Sequence, residues 1–208
     1  MLELSNLGCE RGGHRLFHGL ARQLGPGAVL NVQGANGAGK TSLLRMLCGL
    51  LEPSSGQVRW CGQSIHAMRE DYNRHLIYIG HAAGLKGDLT ALENLQISST
   101  LSGHCIPADM ARVALDGAGL RGRHHTPAYK LSQGQRQRCA LARLCLSNAG
   151  AHQVPLWVLD EPFNALDAAA TIWLAGLLDT HLQGGGIVVM TSHQDTPLST
   201  AGQQTLTL

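Results

Sequence analysis

Gly34-Ala35-Asn36-Gly37-Ala38-Gly39-Lys40-Thr41 is the stretch that decides how this 208-residue chain folds. It follows the apolar run AVLNVQ (28–33) and leads into SLLRMLCGLL, whose apolar residues have helical spacing. A strand that turns through glycines into a helix is the setting in which GxxxxGK[ST] holds phosphates. Glycines let successive backbone N–H groups point inward at phosphate oxygens. The helix N-terminus adds partial positive charge. In that arrangement Lys40 reaches the β- and γ-phosphates of a nucleoside triphosphate, ATP, and the Thr41 hydroxyl holds Mg²⁺. Ser42 sits beside them, near the β- or α-phosphate.

Outward from this loop, short apolar runs alternate with helical ones. Leu2 to Leu7, Leu20 to Leu24, Gln57 to Trp60 and Leu76 to Ile79 read as strands. LWVL (156–159) and IVVM (187–190) read as two more, separated by a helix that Asp167 caps and that runs through Leu182. The outer parts predict an α/β fold with a mostly parallel sheet and crossover helices, a P-loop NTPase core. The middle is helical from Thr90 to about Asn148. Thr90 caps one helix carrying Leu92, Leu95 and Leu101. Pro107 opens a second, with Met110, Val113 and Leu115. Ser132 and Gln135 form a capping box for a third. A single domain follows, with a core of about 1–85 and 149–208 and a helical subdomain of about 86–148.

LWVL ends in Asp160-Glu161. Acids at the C-terminal edge of a strand face the ligand side of an open α/β sheet. Asp160 suits Mg²⁺, partly through water. Glu161 suits activation of the attacking water. Beside the P-loop, this pair makes hydrolysis the expected chemistry.

Composition removes other classes. Net charge is +2 with histidine neutral, too little for a dedicated nucleic-acid surface. Charged residues are only 14%, well below the usual quarter. The six cysteines form no CxxC and no zinc spacing with histidine, so reduced thiols in a cytosolic chain are expected. The start carries no signal-peptide pattern. No apolar run approaches the ~18 residues that span a bilayer, so a membrane role must come through partners.

Leu131-Ser132-Gln133-Gly134-Gln135 resembles the ABC ATPase family, whose signature begins LSGGQ; Gln133 stands where the first Gly is usual. The resemblance covers essentially the whole chain. It implies that Ser132, Gln133, Gly134 and Gln135 close on the nucleotide of a second copy, in a nucleotide-driven head-to-tail homodimer. Asn164-Ala165-Leu166-Asp167 resembles the family's D-loop, and His193 matches its γ-phosphate-contacting switch histidine. Two positions depart. His81 holds the place of the usual Gln, where it could bind Mg²⁺-bound water or sense the γ-phosphate. Arg11 holds the place of the adenine-stacking aromatic, with Phe17 as the fallback.

IGHAAGLKGDLTALENL and CERGGHRLFHGL narrow the resemblance to the ATP-binding subunits of bacterial cytochrome c maturation. In that group the subunit pairs with membrane-embedded permease subunits and powers a haem-export step, the release of a haem-loaded chaperone, without binding haem itself. It implies a chain peripheral on the cytoplasmic face of the inner membrane, held by its partners. Another small exporter, for a drug, lipid or lipoprotein, is one competing reading. A soluble ABC ATPase of DNA repair or translation is the other, disfavoured by the single cassette and the missing CxxC pairs.

Overall fold

The computed structural model describes residues 1–103, 105–147, 154–192, 198 and 202–208. Among these, the strands form two sheets. One is four-stranded and antiparallel, in the order β2 (His14–Leu24), β1 (Leu2–Arg11), β4 (Ser55–Trp60), β5 (Gln63–Ser64). The other is five-stranded and parallel, in the order β6 (Leu76–Ile79), β7 (Leu156–Leu159), β8 (Ile187–Thr191), β3 (Val29–Gln33), β9 (Gln203–Thr207).

β7 and β8 are buried at every residue. Their unbroken apolar runs follow from having both faces covered, as parallel sheets require. On one face Leu30, Val32, Val158 and Val189 pack with Leu43, Leu44 and Leu47 of α1 (Lys40–Leu47). On the other, Val29, Trp157, Leu159 and Val188 meet Leu141 and Leu144 of α5 (Gln133–Leu146) and Leu174 and Leu178 of α6 (Ala168–Gln183). The parallel sheet therefore delivers the C-terminal ends of β3, β7 and β8 to one edge, where a ligand site is expected. The β1–β2 hairpin, turning at Gly12–Gly13 with Arg11 paired to His14, reaches the same edge.

α2 (Arg69–Arg74) leads into β6. α3 (Ala91–Leu101), α4 (Ala108–Gly117) and α5 share a core of their own that includes Leu92, Leu95, Leu115, Leu120 and Leu131. Thr90 and Ser132 each form the full capping box, and Asp167 caps α6 by accepting from the Ala170 N–H at 2.8 Å. A 3-10 turn, η1 (Ala128–Lys130), precedes the extended Leu131 and Ser132.

Two sequence expectations change. Leu101, Met110 and Val113 are exposed, Leu101 by 84%. α4 instead buries Ala111, Ala114 and Leu115, at i, i+3, i+4, and the two small alanines let α3 and α5 pack close. β2 begins at His14 rather than Leu20, because its first half buries only Phe17 and leaves polar residues outside.

Candidate functional site

The P-loop lies between β3 and α1, as its spacing predicts. Gly39, the N-cap of α1, has φ +104, and a Cβ there would sit 3.1 Å from the Phe17 ring and 3.2 Å from Leu16 Cβ. Both the left-handed backbone and the packing beneath require glycine. Lys40 is buried and its ammonium donates to Gly34 O at 2.7 Å and Ala35 O at 3.1 Å. An ammonium has three protons, so these two carbonyls hold it in the loop with one donor to spare.

Residue Thr41 donates its hydroxyl to Asp160 Oδ2 at 2.9 Å. The other carboxylate oxygen, Oδ1, accepts from Thr191 Oγ1 at 2.8 Å. Thr191 Oγ1 in turn accepts the Glu161 backbone N–H at 2.7 Å. One fully buried hydroxyl at the end of β8 thus ties both acids together. Glu161 has φ +50, uncommon for a residue with a side chain, and this bond helps fix it. Its carboxylate accepts a hydrogen bond from Asn164 Nδ2 and lies 3.7 Å from His81 Nδ1.

Burial and then the charge of Asp160 push the Tyr78 phenol up, so it stays protonated beside the acids. Burial likewise raises the Cys9 thiol, against a hydrogen bond from Ser42, keeping it neutral under the loop.

The P-loop opens onto a cleft of about 580 Å³ lined by Arg11, His14, Leu16, Asn36, Lys40 and Glu161, among others. Arg11 stands on its rim. Phe17 does not: it is buried beneath Gly39, which removes it as a base-stacking fallback. Ser132, Gly134 and Gln135 do not line this cleft. Gln133 lines a separate hollow of about 500 Å³ with His81, Arg136, Asn164 and Glu161. The close approach that Gly134 permits is internal, since a Cβ there would lie 2.6 Å from Ala165 O. His193 lies outside the described residues.

Two residues at the site escaped the sequence. Thr191 gave a signal, a polar residue ending a wholly apolar strand; His14 gave none, since only the tertiary fold sets it beside the cleft. Asn164 is legible as part of the D-loop resemblance, but its hydrogen bond to Glu161 is not.

A profile of the ABC transporter family matches residues 17–164. The chain is 52% identical to the cytochrome c biogenesis ATP-binding export protein CcmA of Dechloromonas aromatica (strain RCB), over 93% of each chain. It is 47% identical to the protein of the same name from Nitrosospira multiformis, over 100% of this chain and 98% of the relative. Among solved structures it resembles a putative ABC transporter ATP-binding protein of Pyrococcus furiosus, with TM-score 0.82 and 21% identity over 99% and 96% of the chains. It also resembles a dimeric ATP-binding cassette bound to ADP and Pi, with TM-score 0.79 and 23% identity over 93% and 88%. These last two likenesses speak for the fold alone. The chain belongs to the ABC transporter family as an ATP-binding subunit, and within it to the cytochrome c biogenesis ATP-binding export proteins.

Proposed function

We propose that the cleft at Lys40 holds ATP with Mg²⁺, and that its hydrolysis powers a haem-export step of c-type cytochrome assembly. The observation that carries the chemistry is the unbroken chain from Thr41 through Asp160 and Thr191 to Glu161. Two hard oxygen donors in contact, the Thr41 hydroxyl and the Asp160 carboxylate, fit Mg²⁺, which takes few protein ligands and keeps several waters. That ion, when bound, neutralises charge on the phosphates.

The remaining steps fall to the chain itself. The backbone of Gly34 to Gly39 and the α1 N-terminus cradle the phosphates, with Ser42 alongside. Lys40 exchanges a loop carbonyl for a phosphate oxygen. Glu161, held at its unusual φ, takes the proton of the attacking water. His81, beside Glu161, reports nucleotide state to the helical part or touches Mg²⁺-bound water. His193 contacts the γ-phosphate. Arg11 stacks on adenine through its planar guanidinium.

Two copies pair head to tail, with Ser132, Gln133, Gly134 and Gln135 of each facing the other's nucleotide. The capped α5 N-terminus suits an anion. The two cassettes, each a core of about 1–85 and 149–208 with a helical subdomain of about 86–148, close around two nucleotides and open after hydrolysis. Membrane-embedded permease subunits of the haem exporter dock near the seam between them. An apolar crevice there, lined by Leu76, Ile77, Ile106 and Leu146, also holds Arg143, whose burial lowers its pKa and which has no counter-charge among the described residues. No helix among the described residues is long and apolar enough to cross a membrane, which suits a subunit held on the cytoplasmic face of the inner membrane by its partners.

Deleting the gene and restoring it with wild type or Lys40→Ala tests the assignment. Loss of haem-stained c-type cytochromes, restored by wild type only, is expected. Normal cytochromes in the deletion strain would refute the haem role.

A further inference from the structure

The base is the least provided-for part of the nucleotide in the cleft. The wall on that side is the hairpin tip, Arg11, Gly12 and His14, and the neighbouring aromatic ring, Phe17, is buried under the P-loop. Elsewhere the chain carries an aromatic ring in the open. Tyr129 is 59% exposed, and Lys130 Nζ lies 5.7 Å from its ring centroid. The platform beneath is fixed: the Ala128 N–H donates to Leu89 O at 2.9 Å, Tyr129 N–H to Gly87 O at 3.1 Å, and Lys130 N–H to Pro127 O at 2.9 Å. Extended Leu131 and Ser132 then separate this turn from the α5 N-terminus, a span of about 7 Å.

We propose that Tyr129, backed by Lys130, stacks on the base of the nucleotide held in the cleft of a second copy. The inference rests on the head-to-tail pairing above. With the α5 N-terminus at the terminal phosphates, the preceding turn lies along the nucleotide, within reach of the base. The tyrosine supplies a phenol ring to a cleft that no Phe, Tyr or Trp lines among the described residues, and the lysine adds a cation to the stack. Because every base has a π face, this contact strengthens binding without selecting adenine.

The test uses the Glu161→Gln chain purified with its membrane subunits and loaded with 2-aminopurine riboside triphosphate. Emission of the base reports stacking. Pairing is read separately, as a nucleotide-dependent disulfide between Ser132→Cys of one copy and Ala38→Cys of the other, identified by mass spectrometry. Quenched emission is expected, lost in Tyr129→Ala and kept in Tyr129→Phe, with the apparent nucleotide affinity of Tyr129→Ala about fivefold weaker or more. Equal quenching and affinity in Tyr129→Ala, with the disulfide still forming, would overturn the stacking and leave the pairing intact. No disulfide in the loaded complex would overturn both.

Discussion

Replacing Thr191 by valine keeps the shape of a fully buried, β-branched side chain and removes only its oxygen. Two bonds go with it: the donor to Asp160 Oδ1 at 2.8 Å and the acceptor for the Glu161 N–H at 2.7 Å. A hydrogen bond to a charged group contributes about 1.5–3 kcal/mol, and stranding a buried amide costs about 1–3 kcal/mol. Together they remove about 3–5 kcal/mol from a total of roughly 5–15 kcal/mol. For a domain of this size that lowers Tm by about 8–15 °C. Glu161 also loses a restraint on its positive φ, a conformation that itself costs about 1–3 kcal/mol. ATP turnover should therefore fall by more than the loss of folded protein explains. Thr191→Ser keeps both bonds and should stay near wild type in turnover. Calorimetry on the three proteins, with ATPase rates measured well below every melting point, checks this. Thr191→Val melting within about 2 °C of wild type, with normal turnover, would show that the hydroxyl does not organise the acids.

Two further outcomes follow from single contacts. Gly134→Ala places a methyl 2.6 Å from Ala165 O, so α5 or the 164–167 loop must shift; about 1–3 kcal/mol of stability is lost. Gly176→Ala, in open space on α6, should instead gain about 0.5–1 kcal/mol from helix propensity, and chemical denaturation of the pair separates the two effects. His181 stacks on Trp157 at 3.7 Å between ring centroids, and burial lowers its pKa from 6.5 to about 4. The unfolded chain binds a proton that the folded chain refuses. This contribution is therefore intact above pH 6.5 and is lost as pH falls towards 4, by up to about 3 kcal/mol. Urea titrations across that window should show the slope in wild type and its loss in His181→Phe.

What the sequence revealed tracks how local each signal is. The strands 76–79 and 156–159 and the caps at Thr90, Ser132 and Asp167 match the structure, because apolar runs and capping boxes are written within a few residues. β9 was not legible: QQTLT buries only Leu206 and is a strand because β3 offers it an edge. β2 was half legible for the same reason, since β1 holds its polar first half. At the site, the P-loop and the two acids were named from motif and position. Thr191, which joins the acids, needed the pairing of β7 with β8 to bring it there. The nearest aromatic to the P-loop was legible as a residue but not as a buried one, so Phe17 was misplaced as a base contact.

In the proposed mechanism Glu161 activates water for ATP held at Lys40. The most direct measurement is single-turnover hydrolysis of radiolabelled ATP by wild type and Glu161→Gln in the assembled membrane complex. Glu161→Gln should bind ATP as wild type does and hydrolyse it about 10²–10⁴-fold more slowly. Hydrolysis by Glu161→Gln within about twofold of wild type would remove Glu161 as the base and contradict the account.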